Sequence, residues 1–211
     1  PGFDPVVQLL TTRGFAVAAV DYAGSTGYGR DYRRALGGRW GEADVDDCVD
    51  AARSLAAEGR VDGRRMAIRG SSAGGLTALG ALVRSDAFAG AVAWYGVTDL
   101  LALAAATHDF EAHYTEWLVG PLPAAADEYR RRSPSHRTAD VRGAVLLLQG
   151  LDDPVVPPAQ ATAMAEALQA QGLPCELVTF PGESHGFRRA ETVERSLRAE
   201  LDFYVDRLCG P

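Results

Sequence analysis

Arg69-Gly70-Ser71-Ser72-Ala73-Gly74-Gly75 is the stretch on which the reading of this chain turns. It follows the strand-like run Arg65-Met66-Ala67-Ile68 and opens a segment rich in Leu and Ala that reads as a helix. A serine with glycines two positions to either side, set between a strand and a helix, has the pattern of a sharp turn that exposes its hydroxyl. Ser72 is therefore the candidate nucleophile. The amide of Ala73 would face a developing oxyanion, and the positive end of the helix favours that charge. Ser71 is the main competitor, but it has no glycine two residues upstream and reads as an exposed turn hydroxyl. The pattern alone also fits a glycine-rich turn that merely packs a helix on a sheet, so the rest of the chain must supply a base and an acid.

Both are present in the order Ser, acid, His, which is that of α/β-hydrolases. Ala144-Val145-Leu146-Leu147-Leu148 reads as a buried strand, and Gln149-Gly150-Leu151-Asp152-Asp153-Pro154-Val155-Val156-Pro157 follows directly. Acids placed there lie at the C-terminal edge of a strand, where open α/β sheets gather their chemistry. Cys175-Glu176-Leu177-Val178-Thr179-Phe180 reads as the next strand, followed by Pro181-Gly182-Glu183-Ser184-His185-Gly186-Phe187. His185 then falls on the same edge, before the last helix. Asp152 and Asp153 are both candidates for the acid, and either is also a residue type that caps a local turn.

The 211 residues, 47% of them hydrophobic, suffice for one sizeable core and read as one domain. A formal net charge of -7 argues against nucleic acid, which calls for a basic face. Arg130-Arg131-Arg132 is the one basic cluster and reads as a solvated helix end. The three cysteines Cys48, Cys175 and Cys209 lack metal-ligand spacing; reduced thiols and a cytoplasmic location are expected. No apolar run reaches the roughly 20 residues of a membrane span, and no membrane partner is expected.

Strand and helix patterns alternate along the chain, which implies a mostly parallel sheet covered by helices on both faces. Asp4 and Pro5 open a first helix that Gly14 stops, and Phe15-Ala16-Val17-Ala18-Ala19-Val20 reads as a buried parallel strand. Val45, Cys48, Val49, Ala52 and Leu55 recur at helical spacing. Glu42, Asp44, Asp46 and Asp47 crowd the first turn of that helix, as a stabilising, solvated run rather than a metal site. Ala91-Val92-Ala93-Trp94-Tyr95 reads as a strand, and Pro157-Pro158 open a helix with Ala161, Met164, Ala165 and Leu168 inward. The last helix, residues 191–208, carries Val193, Leu197, Leu201, Val205 and Leu208 on one stripe. His108, Asp109, Glu111 and His113 lie close together without a recognised metal spacing, so no metal is assigned.

Together these pieces resemble the catalytic domain of the prolyl oligopeptidase family of serine peptidases, in particular its bacterial acylaminoacyl-peptidase and dipeptidyl-aminopeptidase-like members. The matching stretches run nearly end to end: Gly24-Ser25-Thr26-Gly27-Tyr28-Gly29, Trp40-Gly41, Gly70-Ser71-Ser72-Ala73-Gly74-Gly75, Tyr95-Gly96-Val97-Thr98-Asp99-Leu100, Gly150 to Pro157, and Gly182 to Phe187. The resemblance implies an α/β-hydrolase fold. It implies that Asp153 is the triad acid, that Val156 walls the substrate pocket and that Phe110 and Tyr114 line it; these two at i,i+4 also fit simple core packing. It implies acyl transfer to Ser72 and then to water, with short peptides as substrates and no cofactor. A homo-oligomer is compatible with the sequence.

The chain also departs from the family. Ala23 stands where many members carry Arg, and the His-Gly-Gly-Pro-like turn and the β-propeller that members carry upstream are missing. Residues 1–211 are therefore expected to be a partial catalytic domain that lacks its first strands. A carboxylesterase-like hydrolase and a catalytically silent binding module are the competing functional readings, since one fold hosts several activities.

Overall fold

Four parallel strands, adjacent in the order β1-β2-β3-β4, form the frame of a computed structural model that describes residues 2–106 and 109–210, the side chains of 109–112 excepted. The strands are β1 (Ala67–Ser71), β2 (Gly90–Trp94), β3 (Ala144–Gly150) and β4 (Cys175–Phe180). Around them lie α1 (Pro5–Thr11), α2 (Gly29–Arg34), α3 (Ala43–Ala57), α4 (Ala73–Arg84), α5 (Leu100–Ala106), α6 (Asp109–Val119), α7 (Ala126–Arg132), α8 (Pro158–Ala170) and α9 (Ala190–Leu208). The register pairs Ser71 with Trp94, Trp94 with Leu148, and Gly150 with Phe180. The C-terminal ends of all four strands therefore share one edge.

Successive side chains on a strand point to opposite faces, and both faces are buried. Ala91, Ala93, Val145 and Leu147 pack with α3, α4 and α8 on one side. Val92, Trp94, Ala144, Leu146 and Leu148 pack with α9 and Leu10 of α1 on the other. This double burial explains why β2 and β3 read as continuous apolar runs rather than as alternating ones. Local signals hold as well: Asp4 Oδ1 accepts the N–H groups of Val6 and Val7 at the start of α1, 2.8 and 3.1 Å away.

Three sequence expectations are corrected. Residues 15–20 form no regular element and pair with no strand among the described residues, and 16–19 are exposed. An apolar run states what a segment can bury, not which neighbour it will meet. Here Phe15 rests on Tyr204, ring centroids 5.9 Å apart, and Asp47 Oδ2 accepts the Ala23 N–H at 2.7 Å. In α9 Leu197, Leu201 and Leu208 of the expected stripe pack on the core, but Val205 is exposed, and the buried face also takes in Thr192, Ser196, Glu200, Phe203 and Tyr204. Glu200 faces inward because the sheet offers donors there. Glu200 accepts from Arg69 Nε at 2.6 Å, Trp94 Nε1 at 3.1 Å and the Tyr204 hydroxyl at 2.6 Å. A charge at this depth is tolerable only when its lone pairs are filled in this way.

The third correction concerns charges read as solvated. The side chain of Arg132, in the basic cluster that closes α7, is buried and donates to the Gly38 and Trp40 carbonyls at 2.9 and 3.1 Å. Asp44 is fully buried on α3; it accepts the Gly41 N–H at 2.7 Å and the Thr77 hydroxyl at 2.6 Å, tying α3 to α4. Burial pushes the Asp44 carboxyl above its ordinary value, against the pull of those hydrogen bonds. The folded chain then holds a proton that the unfolded chain has released, so stability falls as pH rises between the unfolded value, about 4, and the raised folded one. In Asp44→Asn this part of the pH dependence should disappear. Calorimetric melting from low to neutral pH checks it, and parallel curves for parent and variant would contradict it.

Candidate active site

The elbow at Ser72 is built from backbone contacts. Ser72 has φ 52° and ψ −119°, a conformation that costs a non-glycine residue of order 1–3 kcal/mol. Its N–H donates to the Trp94 carbonyl at 2.9 Å, and its carbonyl accepts from Gly75 N–H at 2.9 Å and Val97 N–H at 3.2 Å. Side chains at Gly70 or Gly75 would collide with backbone, that of Gly74 in the first case and that of Gly96 in the second. A Cβ on Gly74 would meet open space. The downstream close approach thus rests on the second glycine of the pair, not on the one at the pattern's symmetric position.

His185 and Asp153 arrive from the two neighbouring loops on the same edge. His185 Nε2 lies 2.8 Å from Ser72 Oγ, and Nδ1 lies 2.8 Å from Asp153 Oδ2. The Asp153 side chain is fully buried, whereas the His185 side chain keeps 21% of its exposure. Asp153 Oδ1 accepts the N–H groups of Val155 and Val156, both at 2.9 Å. With its proton on Nδ1, the imidazole has a free acceptor at Nε2 that can take the serine proton, and the buried carboxylate can stabilise the resulting cation. Asp152 is exposed and uses its N–H on the Glu183 carbonyl at 2.9 Å, which ties the acid loop to the histidine loop. Ala73 is the first residue of α4, so its N–H stands beside Ser72 at the helix's positive end.

The expected pocket residues are less closely gathered. Val156 is 1% exposed, in an apolar cluster with Leu76, Val97, Leu118 and Val119. Tyr114 is 60% exposed and stacks on Trp117 with centroids 6.0 Å apart. Phe110 belongs to α6, but its side chain lies outside the described residues. His108 and the side chains of Asp109 and Glu111 lie outside them too, and His113 Nδ1 sits 3.2 Å from Glu116. Among the described residues no group of acidic, His or Cys side chains is arranged to hold a metal, and no helix is long and apolar enough to cross a membrane. Burial pushes the Cys48 thiol up to about 12 and the Cys175 thiol up to about 11, so neither is a ready nucleophile at neutral pH.

Two supporting residues were not assigned from sequence. Gln149 is 1% exposed; its amide donates to Asp153 Oδ2 at 3.3 Å and to the Gly150 and Val156 carbonyls at 3.1 and 3.2 Å. One polar residue at the end of an otherwise apolar strand was the available signal. Glu183 is buried, and its carboxylate accepts the N–H groups of Arg188 and Arg189 at 2.9 and 3.0 Å, closing the loop that carries His185. Those backbone bonds hold its carboxyl below the ordinary carboxylate range.

A sequence profile of the prolyl oligopeptidase family matches residues 1–210. A dipeptidyl aminopeptidase BIII of Pseudoxanthomonas mexicana is 34% identical over 99% of this chain and 31% of its own length. A puromycin-hydrolyzing peptidase of Mycobacterium tuberculosis superposes with a TM-score of 0.95 at 49% identity, over 97% of this chain and 31% of that one. A Pyrococcus horikoshii acylaminoacyl peptidase, 24% identical, shares the fold with a TM-score of 0.89 over 98% of this chain and 34% of its own. The chain thus spans about a third of the length of the proteins it is similar to.

The glycine contact gives a direct test of the elbow. Gly75→Ala should destabilise the fold by about 1–3 kcal/mol, as overpacking against backbone does, and should displace Ser72 from His185. Gly74→Ala, which meets open space within the helix, should leave stability unchanged or raise it by up to about 1 kcal/mol. Chemical denaturation of the two variants separates them, and equal effects would refute the contact's role.

Proposed function

The chain belongs to the prolyl oligopeptidase family, and from that premise we propose that it is the catalytic part of a serine peptidase acting on short peptides or aminoacyl amides. The observation that carries the proposal is the continuous hydrogen-bonded line from Ser72 Oγ through His185 to Asp153, 2.8 Å at each step. Ser72 Oγ attacks the substrate carbonyl carbon while its proton passes to His185 Nε2. The tetrahedral oxyanion is held by the Ala73 N–H, and loss of one such donor typically costs about 100- to 1,000-fold in rate. Collapse breaks the amide bond, and the imidazolium returns the proton to the leaving amine. Water, deprotonated by the same imidazole, then releases the acyl group from Ser72. Every proton in this sequence moves through side chains of the chain or through water, so the mechanism requires no cofactor.

An apolar subsite is part of the reading. Val97, whose N–H reaches the Ser72 carbonyl, shares a cluster with Val156 and with Leu118 and Val119 of α6. We assign the wall beneath the substrate side chain to Val156 and its outer lining to Phe110 and Tyr114. The similarity to a puromycin-hydrolyzing peptidase makes an amide of an aromatic amino acid a suitable probe. A cytoplasmic setting belongs to the same proposal, supported by three cysteines that all stand free.

Two outcomes are expected of the protein that carries this chain. Asp153→Asn should lower kcat by about 10,000-fold with the fold intact, because an amide favours the wrong imidazole tautomer. Asp152→Asn should stay within about twofold, its side chain being exposed and outside the triad. Steady-state kinetics on an aromatic aminoacyl anilide check both, and equal loss from the two would move the acid assignment. In a second assay, puromycin and aminoacyl anilides should be turned over together with short-chain p-nitrophenyl esters. Turnover of the esters alone would replace the peptidase reading with a carboxylesterase.

A further inference from the structure

Two non-glycine residues among those described have a positive φ, and both stand at this site: Ser72 at 52° and Tyr95 at 39°. The first is accounted for by the elbow. A bulky aromatic residue in the left-handed region is rarer and more costly, and Tyr95 follows β2 rather than belonging to the triad. Its conformation is imposed from both sides. The Tyr95 N–H donates to the Leu148 carbonyl at 2.7 Å, and two residues later Val97 N–H donates to the Ser72 carbonyl at 3.2 Å. Between them Gly96 passes so close to Gly75 that a side chain on Gly75 would collide with the Gly96 backbone. The chain must turn left-handed at position 95 to make all three contacts.

That turn sends the Tyr95 ring to His185. The two rings are 4.8 Å apart at 66°, an edge-on contact. Phe187 supports Tyr95 from behind at 5.4 Å and 79°, and Phe187 rests in turn on Trp94 at 5.5 Å and on Phe180 at 4.7 Å. His185 is thus held at each nitrogen by a hydrogen bond and on its flank by an aromatic stack anchored to the ends of β2 and β4. Once Ser72 is acylated, Nε2 loses its partner, and the bond to Asp153 alone leaves the ring free to swing about that axis. The Tyr95 contact remains at that stage.

We infer that Tyr95 is a positioning residue for His185, its ring holding the imidazole in line between Ser72 and Asp153 and its strained backbone being retained for that purpose. The inference rests on the proposed triad and goes beyond it. The Tyr95 hydroxyl has no hydrogen-bond partner among the described residues, so the ring and not the hydroxyl performs the task.

The test uses the protein that carries this chain, with Tyr95→Phe, Tyr95→Leu and Tyr95→Gly. Kinetics on an aromatic aminoacyl anilide are measured beside melting temperature. Tyr95→Phe should remain within about twofold of the parent. Tyr95→Leu keeps apolar bulk and Tyr95→Gly relieves the strain; both should lose kcat about fivefold to tenfold with KM within about twofold, the range that one aromatic contact commands. Tyr95→Gly should melt above Tyr95→Leu yet be no more active, a split that a purely structural role would not produce. A kcat within twofold of the parent for Leu or Gly, or a loss in Phe as large as in Leu, overturns the inference. A parent that does not turn over the anilide overturns the proposed function itself, and this inference with it.

Discussion

The backbone contact between Gly75 and Gly96 is the constraint on which the site depends. It brings the first turn of α4 against the exit of β2 at a distance only glycine permits. The Ser72 carbonyl can then accept from Gly75 and Val97 together, while the Ser72 N–H reaches Trp94. Those three hydrogen bonds hold the serine in a conformation it would otherwise leave. Tyr95 is forced left-handed by the same approach. The site therefore has two strained residues sharing one cause.

Such a turn needs a stiff support, and the sheet supplies it. β2 and β3 are buried along their whole length on both faces, so interior side chains have little room to relax. Beneath the elbow, Glu200 gathers Arg69, Trp94 and Tyr204 into one polar knot between β1, β2 and α9. Above it, Gln149 and Glu183 fasten the acid and histidine loops through their backbones. Each loop is thus tied by a side chain outside the triad. The triad members need only meet across 2.8 Å, at a place already fixed by other contacts.

The strands, the turn at Ser72 and the strand-end placement of Asp153 and His185 were legible because each is a local signal. An apolar run, a glycine spacing or a loop following a strand can be read without knowing its neighbours. What was not legible depends on partners distant in sequence. Asp44 reads as solvated until Thr77 of α4 meets it, and the apolar stripe of the last helix gives no sign of Glu200, whose place is set by Arg69 and Trp94. Residues 15–20 have the composition of a strand, but a strand also needs a ladder. Tyr95 lies in a stretch that resembles the family, yet nothing in its neighbours' chemistry announces a positive φ, which follows from the approach of Gly75 to Gly96.

The central claim is that the strained turn delivers Ser72, and no other serine, to His185. Labelling with a fluorophosphonate, followed by mass-spectrometric mapping of the adduct in the parent protein and in His185→Ala, tests it most directly. The account predicts a single adduct on Ser72 that forms rapidly in the parent and is nearly lost in the variant. An adduct on Ser71, or labelling of Ser72 that proceeds equally fast without the imidazole, would contradict it.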